Sequence, residues 1–182
     1  MEEGYAAASM SAIAARVGGS KGTLYNYFRS KAELFAAVIR DDCSREQEAL
    51  FDTDQIDDDL EKTLLTLGKR LIRLMLSDDV IVIHRILAAE SCRFPEIGEA
   101  HFEAGPKRGK QFILALFAKG QQEGKLRPMD NPERAAEQLV ELVLAGVYRR
   151  RLWNLGPFPT EAEMDANVES AVAVFMAAYG TP

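Results

Sequence analysis

Ser20, Lys21, Gly22, Thr23, Tyr25, Asn26, Tyr27 and Lys31 crowd hydroxyl, amide and ammonium groups into one short stretch of the chain. Side chains of these types bond base edges and phosphate oxygens of DNA. The surrounding residues 9–31 read SMSAIAARVGGSKGTLYNYFRSK, with Arg16, Lys21, Arg29 and Lys31 and no Asp or Glu, in a chain of 182 residues whose net charge is −6. That balance argues against a protein coated in nucleic acid but fits one local cationic face turned to a polyanion.

Two short helices joined by a glycine turn would hold these groups. Ser9 caps the first, which runs to about Val17 with Met10, Ile13, Ala14 and Val17 on one face. Gly18 and Gly19 end it, because glycine enters positive φ at little cost. Ser20 caps the second, at about 21–28, where Leu24 and Phe28 turn inward toward Ile13 and Val17 and the polar set faces out. This is a helix-turn-helix, whose second helix lays its N-terminal side chains against base edges in the major groove. Gly22 would let the backbone approach DNA, and Thr23 and Asn26 would bond bases or phosphates. Lys21 would read guanine, a bidentate contact worth about 1–3 kcal/mol of discrimination. Tyr27 and Lys31 fit phosphate, beside the amide-rich start of the next helix. Tyr25 and Tyr27 can also serve in packing.

The rest of the chain is written as helices. The sequence Ser30-Lys31-Ala32-Glu33 is a capping box launching a helix that carries Leu34, Phe35, Val38 and Ile39 toward Phe51. An acidic stretch, 52–59, precedes a helix marked by Leu60, Leu64, Leu67, Leu71, Leu74 and Met75 and ending near Ser77. The β-branched run Val80-Ile81-Val82-Ile83 continues at helical spacing to Ile86, Leu87 and Cys92, so a buried helix over about 79–93 is predicted. Pro95 and Pro106 fit helix first turns. The Pro106 helix ends at Gly124, and Asn131-Pro132-Glu133 opens another that runs unbroken through Leu152 and Trp153. Thr160 and Glu163 form a second capping box, and Gly180 stops the last helix. The fold class is therefore all-α, with a helix-turn-helix domain over residues 1–45 and a helical domain over 46–182.

Other chemistries find no support. There is no Gly-rich phosphate loop, no paired histidines and no nucleophile elbow, so no enzyme and no catalytic residue is expected. His84, Cys92 and His101 lack metal-ligand spacing, and no metal or cofactor is expected. Cys43 and Cys92 read as reduced thiols. No apolar run suits a membrane span, and the acidic opening Met1-Glu2-Glu3 is unlike a secretory signal, so a cytoplasmic protein is expected.

Residues 4–35 resemble the DNA-binding segment of the TetR family of transcriptional regulators, through a helix of form SMxAIAxxVG followed by SKGTLYxYFxSKxxLF. The later pieces AAESCRFPEIG and residues 121–132 are similar to its ligand-responsive AcrR-like subgroup. The resemblance places Ser20, Lys21, Gly22, Thr23, Tyr25, Asn26 and Tyr27 on or beside the recognition helix and makes Lys31 similar to a phosphate-contacting lysine. It implies a repressor that binds a palindromic double-stranded DNA operator as a homodimer and releases it when a ligand binds. Family members carry a helix ahead of the Gly4-Tyr5 pair that is largely absent here. A misplaced start or a trimmed chain is expected. The alternative is a dimeric small-molecule-binding protein without DNA binding.

In the second domain, apolar and aromatic residues with a few polar groups suit a small apolar or amphipathic ligand. The candidates are Leu67, Leu71, Met75, His84, Leu87, Cys92, Phe94, Phe102, Phe112, Leu116, Phe117, Tyr148 and Trp153, with packing in the core as the alternative for each. The last two long helices carry Leu139, Val140, Leu142, Val143, Leu144 and Val147, then Val168, Ala171, Val172, Phe175 and Met176. Helices apolar nearly all round are buried on several faces, so a four-helix dimer interface is expected there, with burial inside the chain as the alternative. Ala145-Gly146 and Ala171, Ala173, Ala177 and Ala178 would permit close approach. Arg149, Arg150 and Arg151 read as partners of a helix C-terminus.

Overall fold

The computed structural model describes the backbone of residues 9–18, 20–50 and 59–181, with side chains for all of these except 42–49. The acidic residues 52–58, Gly19, the side chain of Cys43 and the first part of the 4–35 motif lie outside the described residues. In chain order the helices are α1 (Met10–Arg16), α2 (Lys21–Tyr27), α3 (Lys31–Leu50), α4 (Leu60–Leu76), α5 (Asp78–Glu90), α6 (Pro95–Ala104), α7 (Pro106–Gln122), α8 (Pro132–Leu144), α9 (Val147–Leu152) and α10 (Glu161–Tyr179). Among the described residues, the one extended feature is an isolated antiparallel bridge between Leu126 and Gly180.

Side-chain caps set most boundaries by satisfying amides that a helix start leaves without partners. Ser9 accepts from the Ala12 amide at 3.1 Å, Ser20 from Thr23 at 3.0 Å and Asn131 from Arg134 at 2.8 Å. The Thr160–Glu163 box is complete in both directions. At α3, Ser30 accepts from the Glu33 amide at 3.1 Å, while the Glu33 carboxylate reaches the Arg29 amide at 2.7 Å, one residue ahead of the usual reciprocal position. The α3 helix continues through residue 45, the expected domain boundary, to Leu50.

Two expectations change. The helix expected to run unbroken from Pro132 to Trp153 divides into α8 and α9, because Ala145 turns extended and Gly146 adopts φ +77°. Ala145 and Gly146 are exposed at this break. The α5 helix stops at Glu90, whose carbonyl accepts from the amides of both Arg93 and Phe94 at 2.9 Å.

The core lies where α4, α7, α8 and α10 meet. Leu64, Ile72 and Leu76 of α4, Phe117 of α7, Val143 of α8, and Met164, Val168, Val172 and Phe175 of α10 are all buried. Phe117 and Phe175 stack with centroids 5.0 Å apart. Asn167 donates from Nδ2 to the Val143 carbonyl at 2.6 Å, and Arg127 donates to the Gly180 carbonyl at 2.7 Å, tying down both ends of this packing. A second, smaller core joins the N-terminal helices to the rest. Here α6 lies along α3 in the most extensive helix–helix contact of the described residues, with Ile39, Ala36 and Ile97 buried.

The closest approach in the main core is at Gly68 on α4, where an added Cβ would lie 2.6 Å from Val168 Cγ1. Val168 is wholly enclosed and has nowhere to move. Alanine would improve helix propensity by about 1 kcal/mol, but overpacking costs about 1–3 kcal/mol. The Gly68→Ala protein is therefore expected to unfold at a lower urea concentration, with a net loss on the order of 1 kcal/mol. A raised midpoint would contradict the tight crossing of α4 and α10.

Candidate functional site

The turn between α1 and α2 is made at Gly18, with φ +71°. It sets two short helices in contact, with Met10 and Ala14 of α1 buried and Ile13, Leu24 and Phe28 half-buried. Val17, expected to pack inward, instead stands at the C-cap of α1 and is 70% exposed. One residue past the last helical turn, it no longer follows the buried stripe of Met10 and Ala14.

The polar set faces out as the spacing predicts. Ser20, Lys21, Gly22, Thr23, Tyr25, Asn26 and Tyr27 are all exposed, Tyr27 by 75%. Ser20 is both cap and surface group, and its Oγ lies 2.8 Å from Thr23 Oγ1. The Lys21 ammonium sits 5.7 Å from the centre of the Tyr25 ring, one turn on. A Cβ at Gly22 would meet only Ser20 Oγ, at 3.7 Å, and no other atom within 4 Å. Nothing described in the protein itself therefore requires glycine there, although glycine weakens a helix. Lys31 opens α3, half-buried, with its ammonium 5.9 Å from the centre of the Phe94 ring. Phe94 is the N-cap of α6, so the first residue of α3 and the start of α6 touch.

The residues singled out as ligand-binding scatter. Leu67, Leu116 and Phe117 are buried in the core, and Leu71, Met75, Phe112 and Tyr148 pack at its edge. Leu87 and Phe94 are half-buried. Cys92 and Phe102 lie at the surface, and Trp153 is 63% exposed. What the fold does bring together is His84 on α5 and Tyr148 on α9, whose Nδ1 and hydroxyl lie 2.7 Å apart. His101 on α6, which sequence reasoning considered only for a metal, completes the group: its ring meets that of His84 edge-on at 5.1 Å. These are both histidines of the chain. No spacing rule could have paired them, because Pro95 starts a new helix between them. Among the described residues, no group of three His, Cys, Asp or Glu could hold a metal ion.

The expected dimer stripe divides in two. Leu139, Val143, Leu144, Val168, Ala171, Val172 and Phe175 are buried within this chain. Val174, which is 51% exposed, Ala173, Ala177 and Ala178 face outward from α10, and a shallow groove between α8 and α10 is lined by Gln138, Glu141, Leu142, Val174, Phe175, Ala178 and Tyr179. Arg151 serves the fold, as expected of a helix-end cation, but across elements: it ion-pairs with Asp78 and donates to the Leu76 carbonyl at 3.3 Å. Arg85 donates to the carbonyls of Leu152 and Arg151, at 2.8 and 3.0 Å.

Burial, with a smaller contribution from neighbouring His101, holds the His84 imidazole down to about 4, against an ordinary value of 6.5. Burial also lowers His101, and it raises the Tyr148 hydroxyl with help from Glu141. At neutral pH both rings are uncharged and the phenol keeps its proton. Below 6.5 the unfolded chain binds protons that the fold resists, so the contribution of these groups is complete above 6.5 and falls as pH drops toward 4. Urea unfolding is expected to show wild-type stability dropping by about 2 kcal/mol from His84 alone between pH 7 and pH 5. A His84→Gln protein should show a flatter profile. An unchanged midpoint over that range would contradict the burial of the pair.

Residues 1–38 match the family model for bacterial regulatory proteins of the tetR family, and residues 62–181 match that for the C-terminal domain of AefR-like transcriptional repressors. No curated protein matches the chain. Among solved structures, a protein described as a TetR-family transcriptional regulator of Mesorhizobium loti is 27% identical, with a TM-score of 0.86 over 99% of this chain and 90% of that one. The flavonoid-responsive regulator FrrA is 28% identical, with a TM-score of 0.82 over 98% and 90%. A TetR-family regulator of Pseudomonas syringae pv. tomato is 26% identical, with a TM-score of 0.77 over 100% and 90%. Among the described residues, no helix is long and apolar enough to cross a membrane. With its helix-turn-helix and its C-terminal helices each matched, the chain belongs to the TetR family of transcriptional regulators.

Proposed function

We propose that this regulator is a homodimeric, ligand-responsive repressor that acts in the cytoplasm on a palindromic operator. The observation that carries the DNA-binding part is the outward face of α2. Its hydrogen-bonding groups stand clear of the protein while the helix beneath them is capped and braced. Lys21, Thr23 and Asn26 read bases, and Tyr27 and Lys31 hold phosphate. Gly22, whose Cβ position meets only Ser20 Oγ at 3.7 Å, lets the duplex come close. Two such helices about 34 Å apart meet successive major grooves on one side of the duplex.

The second copy docks on the outer face of α8 and α10. Leu142, Val174, Ala177 and Ala178 supply apolar and small side chains there, and the buried part of the same helices makes that face rigid. The domain beyond α3 takes a small apolar or amphipathic ligand. The likeness to FrrA, whose name describes it as flavonoid-responsive, supports an aromatic ligand with hydrogen-bonding groups. The ligand acts through α6, which carries His101 at one end and Phe94, against Lys31, at the other, and which lies along α3 between them. A ligand that binds more tightly to one setting of α6 shifts the population toward it, and with it the spacing of the two α2 helices.

Gel shift against duplexes selected from a random pool tests the DNA-binding reading, and affinity is expected to fall linearly with log salt. Lys31→Ala should weaken all sequences alike, by several-fold, and lower the salt slope by about 1. Asn26→Ala should cost about 1–3 kcal/mol on the selected operator and relax preference at particular base pairs. If Lys31→Ala leaves affinity and slope untouched, its phosphate role is wrong. Val174→Glu should give a monomer by analytical ultracentrifugation that keeps its helical spectrum, and a dimer that persists would remove this face from the interface.

A further inference from the structure

Among the described residues, His101 Nδ1 is buried and has no hydrogen-bond partner, a state that costs stability unless something else fills it. It is not an isolated accident of packing. The His101 ring meets that of half-buried His84, 5.1 Å away centre to centre at an interplanar angle of 83°, and His84 Nδ1 lies 2.7 Å from the Tyr148 hydroxyl. Three helices, α5, α6 and α9, thus converge on a polar cluster in which His84 and Tyr148 bond each other and, among the described residues, His101 Nδ1 has no partner.

We infer that His84, His101 and Tyr148 form the polar anchor of the ligand site, and that its occupant is an uncharged alcohol or phenol whose hydroxyl completes the hydrogen bonding of His101 Nδ1. The choice of group follows from the ring. A neutral imidazole presents at Nδ1 either a proton or a lone pair, according to its tautomer. A hydroxyl answers both, since it donates and accepts. An ether oxygen or a carboxylate only accepts, and an ammonium group only donates. Charged ligands meet a further obstacle, because among the described residues no cation is part of the cluster to offset a carboxylate, and burial penalises either charge. Glu141, whose charge is felt at Tyr148, adds to the cost of an anion.

The inference names the ligand class for the regulator proposed above, and its test is separate from DNA binding, which the unliganded protein shows or fails to show by itself. Three probes share one aromatic body: 2-naphthol, 2-methoxynaphthalene and 2-naphthoate. Calorimetric titration of the full chain is expected to give 2-naphthol at least a ten-fold advantage over the other two. The His101→Phe protein, which keeps the edge-on aromatic contact and loses both nitrogens, should lose that advantage. Nitrogen-15 resonances of His101 in the wild-type protein, which need no variant to fold, should move on adding 2-naphthol. Equal or tighter binding of the ether or the naphthoate overturns the inference, as does a naphthol preference that survives in His101→Phe. Silence of the His101 resonances, or no binding of any probe, overturns it also and leaves Nδ1 to a water molecule.

Discussion

The structure depends on α10 being apolar on more than one side. Met164, Val168, Ala171, Val172 and Phe175 must be enclosed, and α4 and α8 enclose them in this chain. Gly68 makes the enclosure tight by removing the side chain that would otherwise hold α4 away from Val168. Once those helices are locked, α7 closes the core through Phe117 against Phe175, and the bridge at Leu126 and Gly180 seals the end. The part of α10 not used in this way, around Val174 and Ala178, is left facing outward with the small, apolar character that a second copy would need.

Against that rigid body, α6 stands apart. It is short, starts at Pro95 with Phe94 as its N-cap, and sends its buried face toward α3. Its main partner is therefore the helix that carries the DNA-binding segment, and it reaches the second domain through α5 and α7. It thus links the helix-turn-helix end of α3 to the second domain. Beside it the two imidazoles are held uncharged by burial, with a smaller contribution of His101 at His84.

Legibility in the sequence followed interaction range. Caps and turns were visible because they are local: Ser9, Ser20, Asn131 and Thr160 each bond the amide three places on. The buried β-branched run at Val80 was readable as helix because its spacing continued beyond it. The split between α8 and α9 was missed, since the apolar pattern runs on through Gly146 and only the backbone shows that the chain turns there. Val17 was misjudged for a related reason: its position fits the stripe, but the helix has ended by then.

What the sequence determined by itself is the all-helical character, the polar outward set of α2 and the glycine turn before it, since all three arise from contacts within a few residues. What only the tertiary structure decided is which apolar residues share one core and which stay outside, and that His84, His101 and Tyr148 meet. Those outcomes depend on the crossing of helices far apart in the chain, where the side chain that faces a neighbour is chosen by packing and leaves no periodic trace in the order of residues.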